Sequence, residues 1–166
     1  KTTSSAWSSS RSITGKSSGK YYFEATCVNT ATVILGFVNS TFPVTDASTY
    51  LGIDANGYGY QSDGEFLFTG GSLATYDDWG TAGNVARIAI DVTNRLLWIG
   101  RVGSGQWNIS GTANPATGVG GISFNNLGTI FPAVSVFSSA TPAAVQLNFG
   151  ASAYASAAPS GFGNWT

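Results

Sequence analysis

The sequence VARIAIDVTNRLLWIGR occupies residues 85–101 and carries the clearest structural signal in the chain. Two apolar runs, 85–92 and 96–101, are separated by only three residues. Asn94 lies in this connection, and asparagine adopts the left-handed turn conformation at low cost. The spacing therefore predicts two antiparallel strands joined by a tight hairpin.

The rest of the chain is also patterned as short strands. From Tyr21 onward the side chains alternate with a period of two, so the odd and even positions of 21–28 lie on opposite faces. No window has an apolar stripe of helical period with capping residues, so no long helix is expected. Further strands are predicted at 32–38, 50–54, 57–61, 65–68, 129–137 and 144–149. This pattern predicts an all-β, antiparallel two-sheet β-sandwich or jelly roll.

A chain of 166 residues is long enough for one domain with a sizeable core. We expect a single domain over 1–166, in which the Ser-rich and Thr-rich residues 1–12 form a lead-in strand or a linker. The chain begins at Lys1 and contains no Met, which favours a piece of a longer polypeptide. No stretch approaches the length of a membrane-spanning helix, so membrane insertion is not expected.

The composition excludes several classes of function. Charged residues are 9% of the chain, the net charge is −1 and histidine is absent. Without clustered cations a nucleic-acid partner is not expected, and without histidine a Ser-His or Cys-His mechanism is excluded. Ser, Thr, Asn and Gly must therefore provide most of the polar surface.

Eight short motifs follow one another in order along the chain. They are GKYYFE at 19–24, ILGFV at 34–38, YLG at 50–52 with GYGY at 57–60, GNVARIAID at 83–91, LLWI at 96–99, TIFPAV at 129–134, VQLNFG at 145–150 and PSGF at 159–162. Their order resembles that of the SPRY domain family over residues 11–163. This resemblance implies a concanavalin-like sandwich of two curved antiparallel sheets, a non-catalytic binding role and a ligand surface built from loops at one edge.

The segment after the central hairpin departs from the usual family pattern. GRVGSG at 100–105 leads into an insertion that reaches Asn125 and contains GQWN at 105–108 and NPATG at 114–118. This variant resembles the SPRY forms encoded by bacteriophages and bacteria. The partner peptides of animal SPRY domains are therefore not expected here.

The first candidate ligand-binding segment consists of Tyr76, Asp77, Asp78 and Trp79. Aromatic rings stack on sugars or apolar side chains, and carboxylates accept hydrogen bonds from hydroxyl or amide groups. The alternative is that Trp79 caps the core while the two aspartates solvate a turn.

The second candidate segment, Trp107 and Asn108, lies in the insertion and offers similar chemistry. The alternative is that Trp107 pins the long loop to the sandwich. Long loops on a rigid β-scaffold are where binding residues are usually found. We therefore predict that both segments bind the ligand.

No catalytic residue, cofactor or metal site is expected. Glu24 and Glu65 are the only glutamates, and neither lies in the clustered acidic strand of a sandwich glycosidase. Residues 54–65 resemble a calcium loop only weakly, since Tyr58 stands where an oxygen ligand is needed. The resemblance to the family explains the glycines there as a hairpin.

These observations predict a non-catalytic binding module on a bacteriophage virion, at a tail-fibre tip, in an adhesin or in a capsid decoration protein. Its expected partner is a host surface glycan or protein, or a neighbouring virion protein, and its expected location is the virion surface or the extracellular space. One alternative is a structural module that packs on a capsid or tail protein or on copies of itself, including oligomers formed through the parent chain. Another is a secreted bacterial carbohydrate-binding domain.

Overall fold

The computed structural model describes residues 6–29, 32–138 and 143–166, which form twelve strands and, within these ranges, no helix. The strands are β1 Ala6–Arg11, β2 Lys20–Cys27, β3 Val33–Asn39, β4 Gly57–Gln61, β5 Glu65–Phe68, β6 Gly71–Thr75, β7 Val85–Asp91, β8 Leu96–Arg101, β9 Ile122–Ser123, β10 Ile130–Ser138, β11 Val145–Asn148 and β12 Gly163–Asn164.

The strands form two sheets. Sheet A has the order β1-β10-β3-β4-β5-β6, and sheet B has the order β11-β2-β7-β8-β9 with β12 added beside β2. Every pair is antiparallel except β12 with β2, which is parallel. The predicted all-β, antiparallel two-sheet sandwich is confirmed.

The main core lies between the two sheets. The odd-numbered residues Phe23, Ala25 and Cys27 of β2 point into it and are fully buried, as the period-two pattern predicts. Across the sandwich, sheet A contributes Phe37 from β3 and Tyr60 from β4. The alternation of apolar residues along each strand therefore places the hydrophobic core.

The outer faces of both sheets are covered as well. Residues 40–56 fold over sheet A, where Leu51 packs with Ile34 of β3 in a second apolar cluster. Residues 104–121 and 151–162 fold over sheet B, where Tyr22 and Trp98 form a third cluster. Strand residues that point away from the main core, such as Tyr22, Ile34 and Trp98, are therefore buried too.

Two facing glycines of sheet A stand against nearby backbone, and one of them, Gly59, lets the 40–56 segment lie close to the sheet. Gly36 of β3 and Gly59 of β4 are directly opposite each other. A Cβ on Gly36 would lie 2.0 Å from the carbonyl oxygen of Tyr58, and one on Gly59 would lie 2.6 Å from the carbonyl oxygen of Leu51. The two positions need glycine because backbone passes where a side chain would stand.

The structure corrects or narrows several details of the sequence prediction, which also did not include β6, β9 and β12. Residues 50–54 form turns instead of the predicted strand, because this segment crosses the outer face of sheet A. The lead-in region contains a true strand, β1, paired with β10. In the β7–β8 hairpin the residue with positive φ is Arg95 (φ 55°), while the N–H and side-chain amide of Asn94 donate to the carboxylate of Asp91.

Asp91 anchors this hairpin. Its replacement is expected to make the free energy of unfolding depend less on pH in the acidic range. Burial alone would raise the pKa of Asp91, but hydrogen bonds from Asn94 and the Lys20 ammonium 3.4 Å away hold it below its ordinary value. A lowered pKa stabilises the fold above the unfolded carboxyl value of about 3.9, and this contribution is lost as the pH falls through the folded pKa. We expect Asp91→Asn to cost about 2 kcal/mol at neutral pH.

Urea denaturation at neutral pH and at a pH of about 2 measures this effect. The difference between the wild type and Asp91→Asn should shrink at the lower pH. Asp63→Asn is a control, because Asp63 is an exposed turn carboxylate that accepts hydrogen bonds from Gln61 and Glu65. A constant difference across the pH range would contradict the role assigned to Asp91.

Candidate binding site

The first predicted segment lies at one end of the sandwich, in residues 76–80, which we call the 76–80 loop. Residues 76–84 carry the chain from β6 in sheet A to β7 in sheet B. The N–H of Trp79 donates to the carbonyl of Ser62 after β4, and the N–H of Gly83 donates to that of Cys27 at the end of β2. Backbone hydrogen bonds to both sheets therefore hold this crossover.

Trp79 lies beneath the loop in the main core. Its side chain has 0% exposure, and the centre of its ring is 6.0 Å from that of Tyr60. The indole Nε1 is buried and has no hydrogen-bond partner among the described residues. The ring therefore supports the loop from inside and offers no face to a ligand, as in the alternative role considered for Trp79.

Tyr76 is half-buried at the start of the loop. Its N–H donates to the carbonyl of Gly64 over 2.7 Å, and its ring stands edge-on to Phe66 at 6.2 Å. Burial raises the pKa of the Tyr76 hydroxyl. One part of the ring is thus fixed by packing, and the other part faces solvent.

The two aspartates have different surroundings. Asp78 is exposed, and its Oδ1 accepts the N–H of Gly80 over 2.7 Å in a local turn. Asp77 is half-buried, its backbone carbonyl accepts the Tyr60 hydroxyl, and its Oδ2 is buried without a partner among the described residues. A buried carboxylate oxygen without a donor is unusual, because such atoms are normally hydrogen-bonded.

Arg101 at the end of β8 adds a positive charge at the same end. Arg101 is half-buried, and its Nε is buried without a partner among the residues that the structure describes. Burial raises the pKa of the Tyr60 hydroxyl; the charge of Asp77 adds to this rise and that of Arg101 opposes it. The charges of Asp77 and Arg101 therefore act in opposite directions on the Tyr60 hydroxyl beneath the loop.

Arg101 was not among the residues predicted from the sequence. The available signal was its parity, because Leu97, Ile99 and Arg101 share the inward face of β8. A charged residue at the inward end of an otherwise apolar strand indicates a polar environment there.

The second predicted segment lies elsewhere, on the outer face of sheet B. The ring of Trp107 is half-buried, and the guanidinium carbon of Arg87 lies 4.1 Å from its centre. The ring of Tyr22 stands edge-on to it at 6.3 Å. Trp107 thus fastens the insertion to the sheet, as in the alternative considered for it.

Asn108 uses its side chain to continue the sheet. Its Oδ1 accepts the N–H of Ile99 over 2.8 Å, and its Nδ2 donates to the carbonyls of Leu97 and Gly120 over 3.2 and 2.8 Å. The residue has a positive φ of 51°, a backbone conformation that asparagine adopts at low cost. Its amide is occupied by backbone groups and is not free to contact a ligand.

The accessible part of the predicted site is therefore the 76–80 loop, with Tyr76, Asp77 and Asp78 at its surface. Within the described ranges, no group of three or more His, Cys, Asp or Glu residues is placed to hold a metal ion. In the same ranges, no helix is long and apolar enough to cross a membrane.

Comparison with known proteins relates this chain to a known fold. No protein-family model matches the sequence. No curated protein matches it either. Among solved structures, the SPRY domain of human HERC1 is similar, with a TM-score of 0.65 and 18% identity over 87% of this chain and 83% of that chain. At this identity the likeness shows a shared fold, which confirms the fold implied by the sequence motifs.

Proposed function

We propose that this SPRY-like sandwich is a non-catalytic binding module that recognises its ligand through the 76–80 loop. The observation that carries the proposal is the pair of adjacent carboxylates on this loop, of which that of Asp77 is half-buried. Asp78 beside it is exposed, and the loop is held from below by Trp79. A preorganised loop that presents an exposed carboxylate is suited to binding a hydrogen-bond donor.

The chemistry of the loop favours a neutral partner rich in hydroxyl or amide groups. Carboxylate oxygens accept hydrogen bonds from such groups, and the exposed part of the Tyr76 ring offers a surface for stacking. Sugar hydroxyls and peptide amides both supply these donors. A surface glycan or protein is therefore the proposed class of ligand.

The positions of the two glutamates support a role without catalysis. Glu24 is 3% exposed on the outer face of sheet B, and its carboxylate accepts the N–H groups of Ala155 and Ser156. Glu65 lies in β5 of sheet A. Glycosidases of the usual two-carboxylate type need both groups on one substrate cleft, and this arrangement does not supply such a pair.

The proposed setting is the surface of a bacteriophage virion, as a tail-fibre tip, an adhesin or a capsid decoration domain. The insertion at 100–125, the low charge and the surface rich in Ser, Thr, Asn and Gly support this setting. A secreted bacterial carbohydrate-binding domain is the alternative setting for the same loop chemistry.

A glycan array together with binding to whole bacterial cells tests the proposed site. Asp78→Asn keeps an oxygen for the turn bond to Gly80 but removes the charge. We expect binding to fall by roughly tenfold to a hundredfold, because hydrogen bonds to charged groups contribute about 1.5–3 kcal/mol.

Asp46→Asn is the matched control for this experiment. Asp46 is also exposed and accepts the N–H of Ser48 in an equivalent turn, but it lies on the segment that covers sheet A. Its replacement should leave binding unchanged. Equal binding by the wild type and both variants would remove the 76–80 loop from the site.

A structural module that packs against other copies or a shell protein is the second candidate. Leu73 of β6 and Val119 of the insertion are 56% and 51% exposed, and such apolar groups suit a permanent interface. Light scattering distinguishes the two roles. Assembly at low concentration would favour packing, and a persistent monomer would favour the binding module.

A further inference from the structure

The edge strand β1 has unpaired backbone groups. β1 is the first strand of sheet A and pairs on one side only, with β10. The N–H of Ser12 donates to the carbonyl of Pro132 opposite it, which sets the alternation of hydrogen bonds along the pair. Trp7, Ser9 and Arg11 therefore direct their N–H and C=O groups away from β10.

The chain itself pairs with the beginning of this edge. The N–H of Trp7 donates to the carbonyl of Ala47 over 3.0 Å. Within the described ranges, the N–H groups of Ser9 and Arg11 have no hydrogen-bond partner. The same segment also reaches Ser9, whose Oγ donates to the carbonyl of Thr49 over 3.4 Å, but it leaves the N–H groups of Ser9 and Arg11 open.

A groove lies against the last part of β1 and extends to Phe131 of β10. Its volume is about 400 Å³, and residues 9–13 form one wall, with Val44 and Phe131 completing it. Ile13 at its end is fully exposed, an unusual position for a large apolar side chain. The groove therefore combines unpaired backbone groups with apolar side chains.

Arg11 gives the groove a fixed positive charge. Its Nη1 donates to the carbonyls of Asn39 and Ser40 over 3.1 and 2.7 Å, and its guanidinium carbon lies 5.1 Å from the centre of the Phe131 ring. These contacts hold the guanidinium against the wall of the groove. A partner with a negative charge would be complementary to it.

We propose that this edge binds an extended peptide of another protein, which adds to sheet A as a strand beside β1. Its backbone would pair with Ser9 and Arg11, an acidic side chain would face Arg11, and an apolar side chain would contact Val44 and Ile13. Strand addition of this kind takes affinity from main-chain hydrogen bonds and specificity from alternate side chains. The surface is separate from the 76–80 loop and does not depend on the function proposed for it.

A library of random heptapeptides displayed on phage provides the probe. Selected peptides should be rich in alternating acidic and apolar residues. Synthetic copies should bind Ser9→Pro about tenfold more weakly than Ser9→Ala, because only proline removes the outward N–H. Both variants lose the hydroxyl that lies 2.7 Å from Ser135 Oγ, so they differ mainly at the backbone.

Amide hydrogen exchange in the wild type tests the pairing of the peptide with β1 independently, because it needs no variant. A bound peptide should slow exchange at Ser9 and Arg11 and leave Ser10, which already faces β10, unchanged. Recovery of no binding peptide, equal binding by Ser9→Pro and Ser9→Ala, or unchanged exchange at Ser9 would overturn the proposal. Dimerisation that Ser9→Pro abolishes would identify a second copy as the occupant and would also overturn it.

Discussion

Replacing Trp79 with alanine is expected to lower the free energy of unfolding by about 3–5 kcal/mol. Trp79 is among the largest side chains in the core, and it has 0% exposure. Alanine would leave a cavity between the crossover at 76–84 and the main core, next to Tyr60. Urea denaturation, monitored by the backbone circular dichroism signal and not by tryptophan fluorescence, measures this loss of free energy.

Trp79→Phe separates packing from polar effects. Phenylalanine keeps an aromatic ring and removes the buried indole N–H that has no partner among the described residues. Its cost should be clearly smaller than that of alanine. If Trp79→Ala has the same urea midpoint of unfolding as the wild type, the core position of Trp79 is contradicted. A loss of ligand binding by Trp79→Ala would reflect its lower stability and would not locate the site. Asp78→Asn is therefore the better probe of the site.

Replacing Glu24 with alanine is the second large effect, with an expected loss of about 3–5 kcal/mol. Glu24 is buried opposite Arg87 in the β2–β7 pair, and it accepts the N–H groups of Ala155 and Ser156 over 2.8 and 2.9 Å. Alanine would leave these two amides, and the buried Tyr22 hydroxyl that also donates to this carboxylate, without an acceptor. Unpaired buried groups of this kind are costly.

Denaturation and amide exchange together identify the cause of this loss. Exchange should speed up first in residues 151–162, which the carboxylate ties to sheet B. Glu24→Gln should cost less, because its amide oxygen still accepts one bond. Glu65→Ala is the matched control, since Glu65 is half-buried in β5 and should cost less than about 1 kcal/mol. Equal losses for Glu24→Ala and Glu65→Ala would contradict the role of Glu24.

The central part of the fold could be predicted from local pattern. The β7–β8 hairpin and the alternation in β2 were both visible, because a strand with one buried face repeats every two residues. The segment at 50–54 is also apolar and so predicts a strand, but it forms turns. Tyr50 and Leu51 are apolar because they cover sheet A, and an apolar run alone does not distinguish a strand from a covering turn.

The candidate site could be predicted only in part. The sequence places Tyr76, Asp77, Asp78 and Trp79 together, and the structure separates their roles into accessible groups and a buried support. Trp107 and Asn108 have a suitable composition for recognition, yet their polar and aromatic groups are used to hold the insertion. Arg101 could be placed beside Asp77 only after the two sheets were packed.

By itself, the sequence determined the period of the strands and the sandwich class, and its low charge and lack of histidine gave the expectations of no nucleic-acid partner and no histidine-dependent mechanism. These properties follow from composition and from neighbours along the chain. The tertiary structure decided which aromatic rings face solvent, which carboxylates keep a free oxygen and which edge of sheet A stays open. Those features depend on segments far apart in sequence, since 40–56, 104–121 and 151–162 each cover a face that the strand pattern alone leaves exposed.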